Sequence, residues 1–371
     1  MSGGRTTYLD WNATAPLLPE AASAMTAALA ACGNASSVHR WGRAARRAVE
    51  HARTAVAALA GAEADDVTFT SGGSEANHLA LRGLPGRRVI VSAIEHDSVR
   101  AAAPEAEILP IRPDGCADLG ALERLLADDP RPALVSLMLA NNETGAIQEL
   151  REAVRLAHAR GALVHTDAVQ AAGRMPLAMR ALGADLMTLS AHKIGGPQGV
   201  GALVASPDLP LVPLFGGGQE RGRRAGTENV AGIVGFGAAA RVAAERVADY
   251  AAVAALRDAA ERRLMAIAPD AVVFAAAAPR LANTLCIAMP DVPAATQVMA
   301  LDLAGVMVSA GAACSSGKLR RSLVLTAMGV PDAVADRAIR VSLGWNSTAA
   351  DIDHLVEAWG ALYARTRANA A

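Results

Sequence analysis

Lysine is almost missing from this chain: of its 35 basic side chains, only Lys193 and Lys318 are not arginine. Arginine serves wherever a surface needs fixed positive charge. A lysine kept in such a chain is therefore a candidate for what arginine cannot do, which is to lose its proton and act as a nucleophile. An excess of either charge is missing too. The 35 basic and 36 acidic residues leave a formal net charge of -1, which gives no electrostatic reason to expect nucleic acid or an anionic membrane as partner. No apolar run approaches the ~20 residues that a bilayer-spanning helix needs. The opening "MSGGRTTYLDWNATAP" has no apolar core of the kind that marks a secretory signal, so a cytoplasmic protein is expected. Cysteine is sparse and scattered. Cys32, Cys116, Cys286 and Cys314 form no C-x-x-C pair and no Cys/His cluster at zinc-ligand spacing, so neither a disulfide framework nor a metal is expected.

What is present is a long, compact chain. Its 371 residues, 52% apolar and 19% charged, suffice for a large core and for two domains. From Val67 onward short apolar runs ("DVTFT", "RRVIVSA", "ALVSLML", "ALVHTDA", "DLMTLSA", "GVGALVAS") alternate with amphipathic stretches such as "LGALERLLADD" and "ELREAVRLAHARG". Strand and helix in series predict an α/β fold, a mainly parallel sheet flanked by helices, with ligands beyond the carboxyl ends of the strands. An Ala-rich helical run from Ala231 to about Ala268 bridges to a second unit holding "TLCIAM", "VMVSAGAACSSGK" and "AIRVSLGW". The expected division is a large domain over 15–250 and a smaller α+β domain over 251–371, completed by 1–14. "VVFAAAAPRLAN" is expected to be a surface loop.

Five strand ends carry the chemistry. "VTFTSGGSEANHLAL" places Gly73 and Ser74 where a strand gives way to a helix, and free amides at a helix start form a phosphate cradle. "SAIEHDSV" offers His96; "LMLANNETGAIQ" offers Asn141, Asn142 and Glu143; "LVHTDAVQAAG" offers Asp167, with Gln170 three residues on. "LMTLSAHKIGG" brings Ser190, His192 and Lys193 to the same edge. Each alone has an ordinary explanation: a capped turn, a loop histidine, an Asp at a helix start. Together they supply what pyridoxal phosphate requires, namely a lysine to carry it, an acid for its pyridine nitrogen and an anchor for its phosphate. Cys286 in "TLCIAM" reads as a small buried hydrophobe. Cys32 and Cys116 lie in polar turns. Cys314, within "SAGAACSSGK", has the context of an exposed nucleophile.

The order "YLDWNATAP", "GNASSVHRWGRAAR", "FTSGGSEANHLAL", "IEHDSV", "NNETGAIQ", "HTDAVQAAG", "SAHKIGGPQGVGAL", "GGGQERGRRAGTENV", "SAGAACSSG", "IRVSLGW" resembles that of the cysteine desulfurases, class V aminotransferase relatives among the fold type I pyridoxal phosphate enzymes. The resemblance runs from Tyr8 to Trp345. It implies a seven-stranded sheet in the large domain, Lys193 as the cofactor lysine, Asp167 at the pyridine nitrogen, Gln170 at the phenolic oxygen and His96 stacked on the ring. Gly73, Ser74, Ser190 and His192 would hold the phosphate, joined by Thr227 from the neighbouring subunit of a homodimer. Asn142 and Arg340 would grip the carboxylate of L-cysteine, and Cys314 would take its sulfur as a persulfide, to be passed to an acceptor such as an iron–sulfur scaffold protein.

A selenocysteine lyase or another class V aminotransferase-type enzyme is the nearest alternative, disfavoured by the cysteine-bearing motif. A binding protein that kept the fold is the other, and the joint retention of Lys193, Asp167 and Cys314 argues against it. The sequence departs from the family in Gly195, where many relatives carry an aromatic residue, and in ending soon after "SLGW", which bears on partner docking. Lys318, close to Cys314, reads as a solvated surface lysine.

Overall fold

The computed structural model describes residues 5–313 and 319–370. Its main sheet has seven strands: β1 (Val67–Thr70), β2 (Arg88–Ser92), β3 (Glu107–Leu109), β4 (Ala133–Ser136), β5 (Leu163–Asp167), β6 (Leu186–Ser190) and β7 (Gly201–Ala205). They lie in the order β1-β7-β6-β5-β4-β2-β3. Pairings among β2 to β6 are parallel; β7 runs antiparallel to both β6 and β1. The expectation of a mainly parallel sheet holds. Strands such as β4, β6 and β7 are buried along their whole length, which is why they read as unbroken apolar runs rather than alternating ones.

The second sheet is antiparallel. It comprises β8 (Val272–Val273), β9 (Thr284–Ala288), β10 (Ser309–Ala310) and β11 (Ala338–Ser342), in the order β10-β11-β9-β8. Leu285 and Ile287 of β9, Ile339 and Val341 of β11, and Trp359 of the C-terminal helix close a separate apolar core with Leu9. The N-terminal segment reaches this unit directly: Thr7–Tyr8 pairs in parallel with Val306–Met307, and the Ser342 amide donates to Leu9 O at 2.8 Å.

Two local expectations need correction, and a third holds with an addition. The Ala-rich run is two helices, Val230–Glu245 and Tyr250–Ile267, separated by a 3₁₀ turn at Val247–Asp249. No Gly or Pro marks this break. The tighter turn resets the helical phase and drives Tyr250 into the interior at 6% exposure. "VVFAAAAPRLAN" is only partly a surface loop: Val272 and Val273 form β8, and Phe274 and Leu281 are buried in the main core. Cys116 is buried although its neighbours are polar, because the Asp114 side chain turns the backbone at the Cys116 amide and directs the thiol toward Ile147 O.

Candidate active site

A cavity of about 700 Å³ lies where the carboxyl ends of β5 and β6 face the second sheet, a volume in the usual range for small-molecule sites. Gly73, Ser74, His96, Asn142, Asp167, Gln170, Ser190, His192, Lys193 and Arg340 all line it. Asn141 is not among the lining residues; it is buried behind the cavity wall, where its Oδ1 accepts from the Glu143 and Thr144 amides. Thr227 is exposed and does not line the cavity of its own chain, and Cys314 lies outside the described residues. Gly311 and Arg321, on either side of that segment, line the cavity.

Lys193 occupies the 3₁₀ turn Ala191–Lys193 that follows β6. Its Nζ donates to the carbonyl oxygens of Asn12 at 2.6 Å and Ala13 at 2.7 Å. A neutral amine has two N–H groups, so both are satisfied and the lone pair is left over. Burial lowers its pKa from 10.5 to about 7; Arg174 and Arg340 act in the same direction, while Asp167 and Asp10 oppose them. The adjacent His192, 3.1 Å from Thr14 Oγ1 through Nδ1, is lowered to about 4 by burial and by Lys193 and Arg174. Its imidazole is neutral at pH 7.

Asp167 ends β5 and is 7% exposed. Oδ1 accepts from the Val169 amide at 3.0 Å, so it caps the following turn as an ordinary aspartate would; Oδ2 accepts from Asn77 Nδ2 at 2.9 Å. Among the described residues no basic side chain forms an ion pair with it. The same Asn77 nitrogen donates to Ser98 Oγ at 2.9 Å, and Ser98 Oγ lies 2.7 Å from His96 Nδ1, which also accepts from the Ser98 amide. This network places the His96 proton on Nε2. Next to it, Glu95 Oε1 accepts from Ser92 Oγ and the Met138 amide, and burial, aided by the Asp167 charge, pushes its pKa up to about 8. Glu95 is thus a neutral acid in the cavity wall.

At the opposite end the helix Gly73–Arg82 begins. Its first amides have no intrahelical acceptor and point to the position where an anion would bind. The close approach that puts this helix start at the sheet's edge depends on Gly201 in β7: a Cβ there would lie 2.5 Å from the Gly72 carbonyl carbon. Gln170 donates from Nε2 to Asn12 O at 3.0 Å and accepts from Arg174, which leaves one Nε2 hydrogen unused. Arg340 Nη2 donates to Asp10 Oδ1 at 2.6 Å and Nη1 to Asn142 O at 3.1 Å, while its buried Nε has no partner. The fork expected to take a carboxylate is therefore oriented by Asp10 and keeps free hydrogens. Gly195 has a φ of +82°, and a Cβ would lie 2.7 Å from both Leu18 Cγ and Trp345 Cη2. Those two side chains fill the space in which an aromatic at this position would have to fit.

Asn12, Asn77, Glu95 and Arg174 were not singled out by sequence reasoning. Only Asn77 left a signal, one helical turn beyond Gly73 and so on the same helix face.

The sequence matches the model of the class-V aminotransferase family over residues 7–355. A cysteine desulfurase of Cereibacter sphaeroides is 48% identical over 366 residues, covering 94% of each chain. The cysteine desulfurase IscS of Dictyoglomus turgidum is 38% identical, covering 95% of this chain and 93% of its own. Among solved structures, a NifS-like protein of Rickettsia africae superposes with a TM-score of 0.91 at 35% identity, covering 97% of this chain and 99% of its own.

Proposed function

The chain belongs to the class-V aminotransferase family and, within it, to the cysteine desulfurases; on that premise we propose that it takes the sulfur of L-cysteine onto Cys314 as a persulfide, releases L-alanine, and does so with pyridoxal phosphate carried by Lys193. The observation that carries this reading is the placement, around one cavity, of a buried Lys193 whose Nζ donates to two backbone carbonyls and a buried Asp167 that no basic side chain among the described residues pairs with. The donor set suits the cofactor. A neutral lysine can attack its aldehyde, Asp167 can take a ring N–H, Gln170 has an N–H to spare for the phenolic oxygen, and open helix amides with Ser74, Ser190 and neutral His192 suit a phosphate.

When bound, pyridoxal phosphate supplies an electron sink that stabilises negative charge on the substrate's carbon skeleton and so weakens its Cβ–S bond. The chain's own groups do the rest. Arg340, steadied by Asp10, and Asn142 hold the substrate carboxylate and so fix which Cα bond faces Lys193. The Lys193 amine, its pKa lowered by burial to about 7, moves the Cα proton. Asp167, its carboxylate fixed by Asn77, would keep a proton on the ring nitrogen. His96, its tautomer set by Ser98, would lie against the ring. Cys314, as thiolate, forms an S–S bond to the substrate sulfur as the Cβ–S bond breaks. A protein acceptor of the iron–sulfur scaffold kind takes the sulfur next. Thr227, exposed in the single chain, completes the phosphate site of a second copy in a homodimer.

The test is release of alanine and sulfide from L-cysteine with a reducing thiol, comparing the native protein with Cys314→Ser. Alanine made by the native protein and lost in the variant supports the persulfide route. Alanine from both means a lyase that does not use Cys314, and alanine from neither removes the desulfurase reading.

A further inference from the structure

Among the described residues, Arg174 is a buried guanidinium without an acid. Four other arginines are buried to a similar degree, Arg53, Arg88, Arg257 and Arg340, and each has a carboxylate oxygen within 2.7 Å. Arg174, 4% exposed, has only neutral acceptors. Nη1 donates to Asn12 Oδ1 at 2.9 Å, Gln170 O at 3.2 Å and Gln170 Oε1; Nη2 donates to Trp11 O at 3.2 Å and reaches Lys193 O at 3.5 Å.

An unneutralised charge in the interior is expensive for a fold to keep. Neutral acceptors solvate it but do not cancel its field, so the field persists for whatever lies nearby. What lies nearby is Lys193. Arg174 holds Asn12 by its side chain, and Asn12 O in turn accepts from Lys193 Nζ at 2.6 Å and from Gln170 Nε2 at 3.0 Å. One residue thus carries the cation at one end and the amine at the other. The other charged groups facing Lys193 are Arg340, whose charge Asp10 offsets, together with Asp167 and Asp10; His192 is neutral.

We propose that Arg174 is a positioning residue for Lys193, favouring its amine over its ammonium form through an uncompensated buried charge and through its hold on Asn12 and Gln170. The proposal rests on the reading of Lys193 as the lysine that carries the cofactor. It gives that lysine a means of being reactive before the cofactor arrives.

The scarcity of lysine makes the test clean. The full-length chain, freed of cofactor with hydroxylamine and gel filtration, is labelled with trace acetic anhydride across a pH series spanning neutrality, in competition with an added lysine peptide. The Lys193 peptide is then quantified by mass spectrometry, with Lys318 read in the same digest. The native midpoint for Lys193 is expected near 7. Arg174→Met should raise it by about 1–2 pH units, the usual effect of removing a nearby like charge, whereas Arg174→Lys, which keeps the charge, should stay within about 0.5 unit of native. A purely structural arginine would leave the midpoint in place. An unmoved midpoint in Arg174→Met, an equal shift in Arg174→Lys, or an ordinary lysine midpoint in the native chain each overturns the proposal. If Arg174→Met does not fold, Arg174→Gln, which retains a polar head, is read in the same way. The labelling uses neither cofactor nor cysteine, so it fails independently of the desulfurase reading.

Discussion

Asn77 donates both hydrogens of its amide nitrogen across the site, one to Asp167 Oδ2 and one to Ser98 Oγ, each over 2.9 Å. Asp167 and His96, the acid and the histidine proposed to meet the cofactor, are therefore fixed by the same side chain. Losing a buried hydrogen bond to a charged group costs about 1.5–3 kcal/mol, so Asn77→Leu should lower alanine release roughly 10- to 100-fold and weaken cofactor retention. Asn77→Asp should do worse on both, because it sets a second carboxylate against Asp167. Steady-state kinetics and a cofactor dissociation constant check this, and native values in both variants would separate Asn77 from the chemistry.

Glu95 makes stability depend on pH with an unusual sign. Inside the fold it holds its proton up to about pH 8, against 4.5 in the unfolded chain. Between those values the native state binds the extra proton, so this group's contribution falls as pH rises through the window. Glu95→Gln keeps an acceptor for Ser92 and Met138 and removes the ionisation. Its thermal midpoint should exceed the native one above pH 8 and lose that advantage toward pH 5, as measured by unfolding scans at both ends. A difference independent of pH would mean that Glu95 is not a buried neutral acid.

The loop that carries Thr227 is anchored by charge. Arg53 forms a two-armed ion pair with Glu220 at 2.7 and 2.8 Å, and Glu220 also accepts from the Phe69 amide at 2.8 Å. Glu220 and Arg221 meanwhile hold left-handed φ values of 43° and 56°. Arg53→Met strands the carboxylate and should destabilise by about 3–5 kcal/mol in urea titration. Adding Glu220→Gln should recover part of that loss; an additive double variant would contradict the pairing.

Gly201→Ala places a methyl 2.5 Å from the Gly72 carbonyl carbon, so the helix start must move. A loss of about 1–3 kcal/mol is expected, together with weaker capture of pyridoxal phosphate by the cofactor-free chain. Gly218→Ala, which meets nothing within 4 Å, is the matched control. Equal cofactor affinity in both variants would show that the cradle tolerates displacement.

The parts of the site legible in the sequence were those set locally. Asp167 and Ser190 end buried strands, with Lys193 in the turn that follows the second, and an apolar run that stops at a polar residue is visible without coordinates. Gly73 and Ser74 mark a strand turning into a helix. Asn12 and Arg174 were silent because their meaning depends on partners 162 positions apart in the chain, and no periodicity reports such a distance. The break at Val247–Asp249 was hidden because Arg246 to Asp249 contains no residue that forbids a helix.

The N-terminal segment has a consequence in time as well as in space. Asp10, which steadies Arg340, meets a residue 330 positions later, and Thr7–Tyr8 pairs with Val306–Met307. At synthesis rates of about 5–20 residues per second, roughly 15–65 s separate the emergence of the first partner from that of the second. During that interval the main sheet can form, but Asp10 has no arginine to meet, and Thr7–Tyr8 has nothing to pair with. A nascent chain is thus able to shape the wall of the cavity that holds Asp167 and Lys193 well before the wall that holds Arg340.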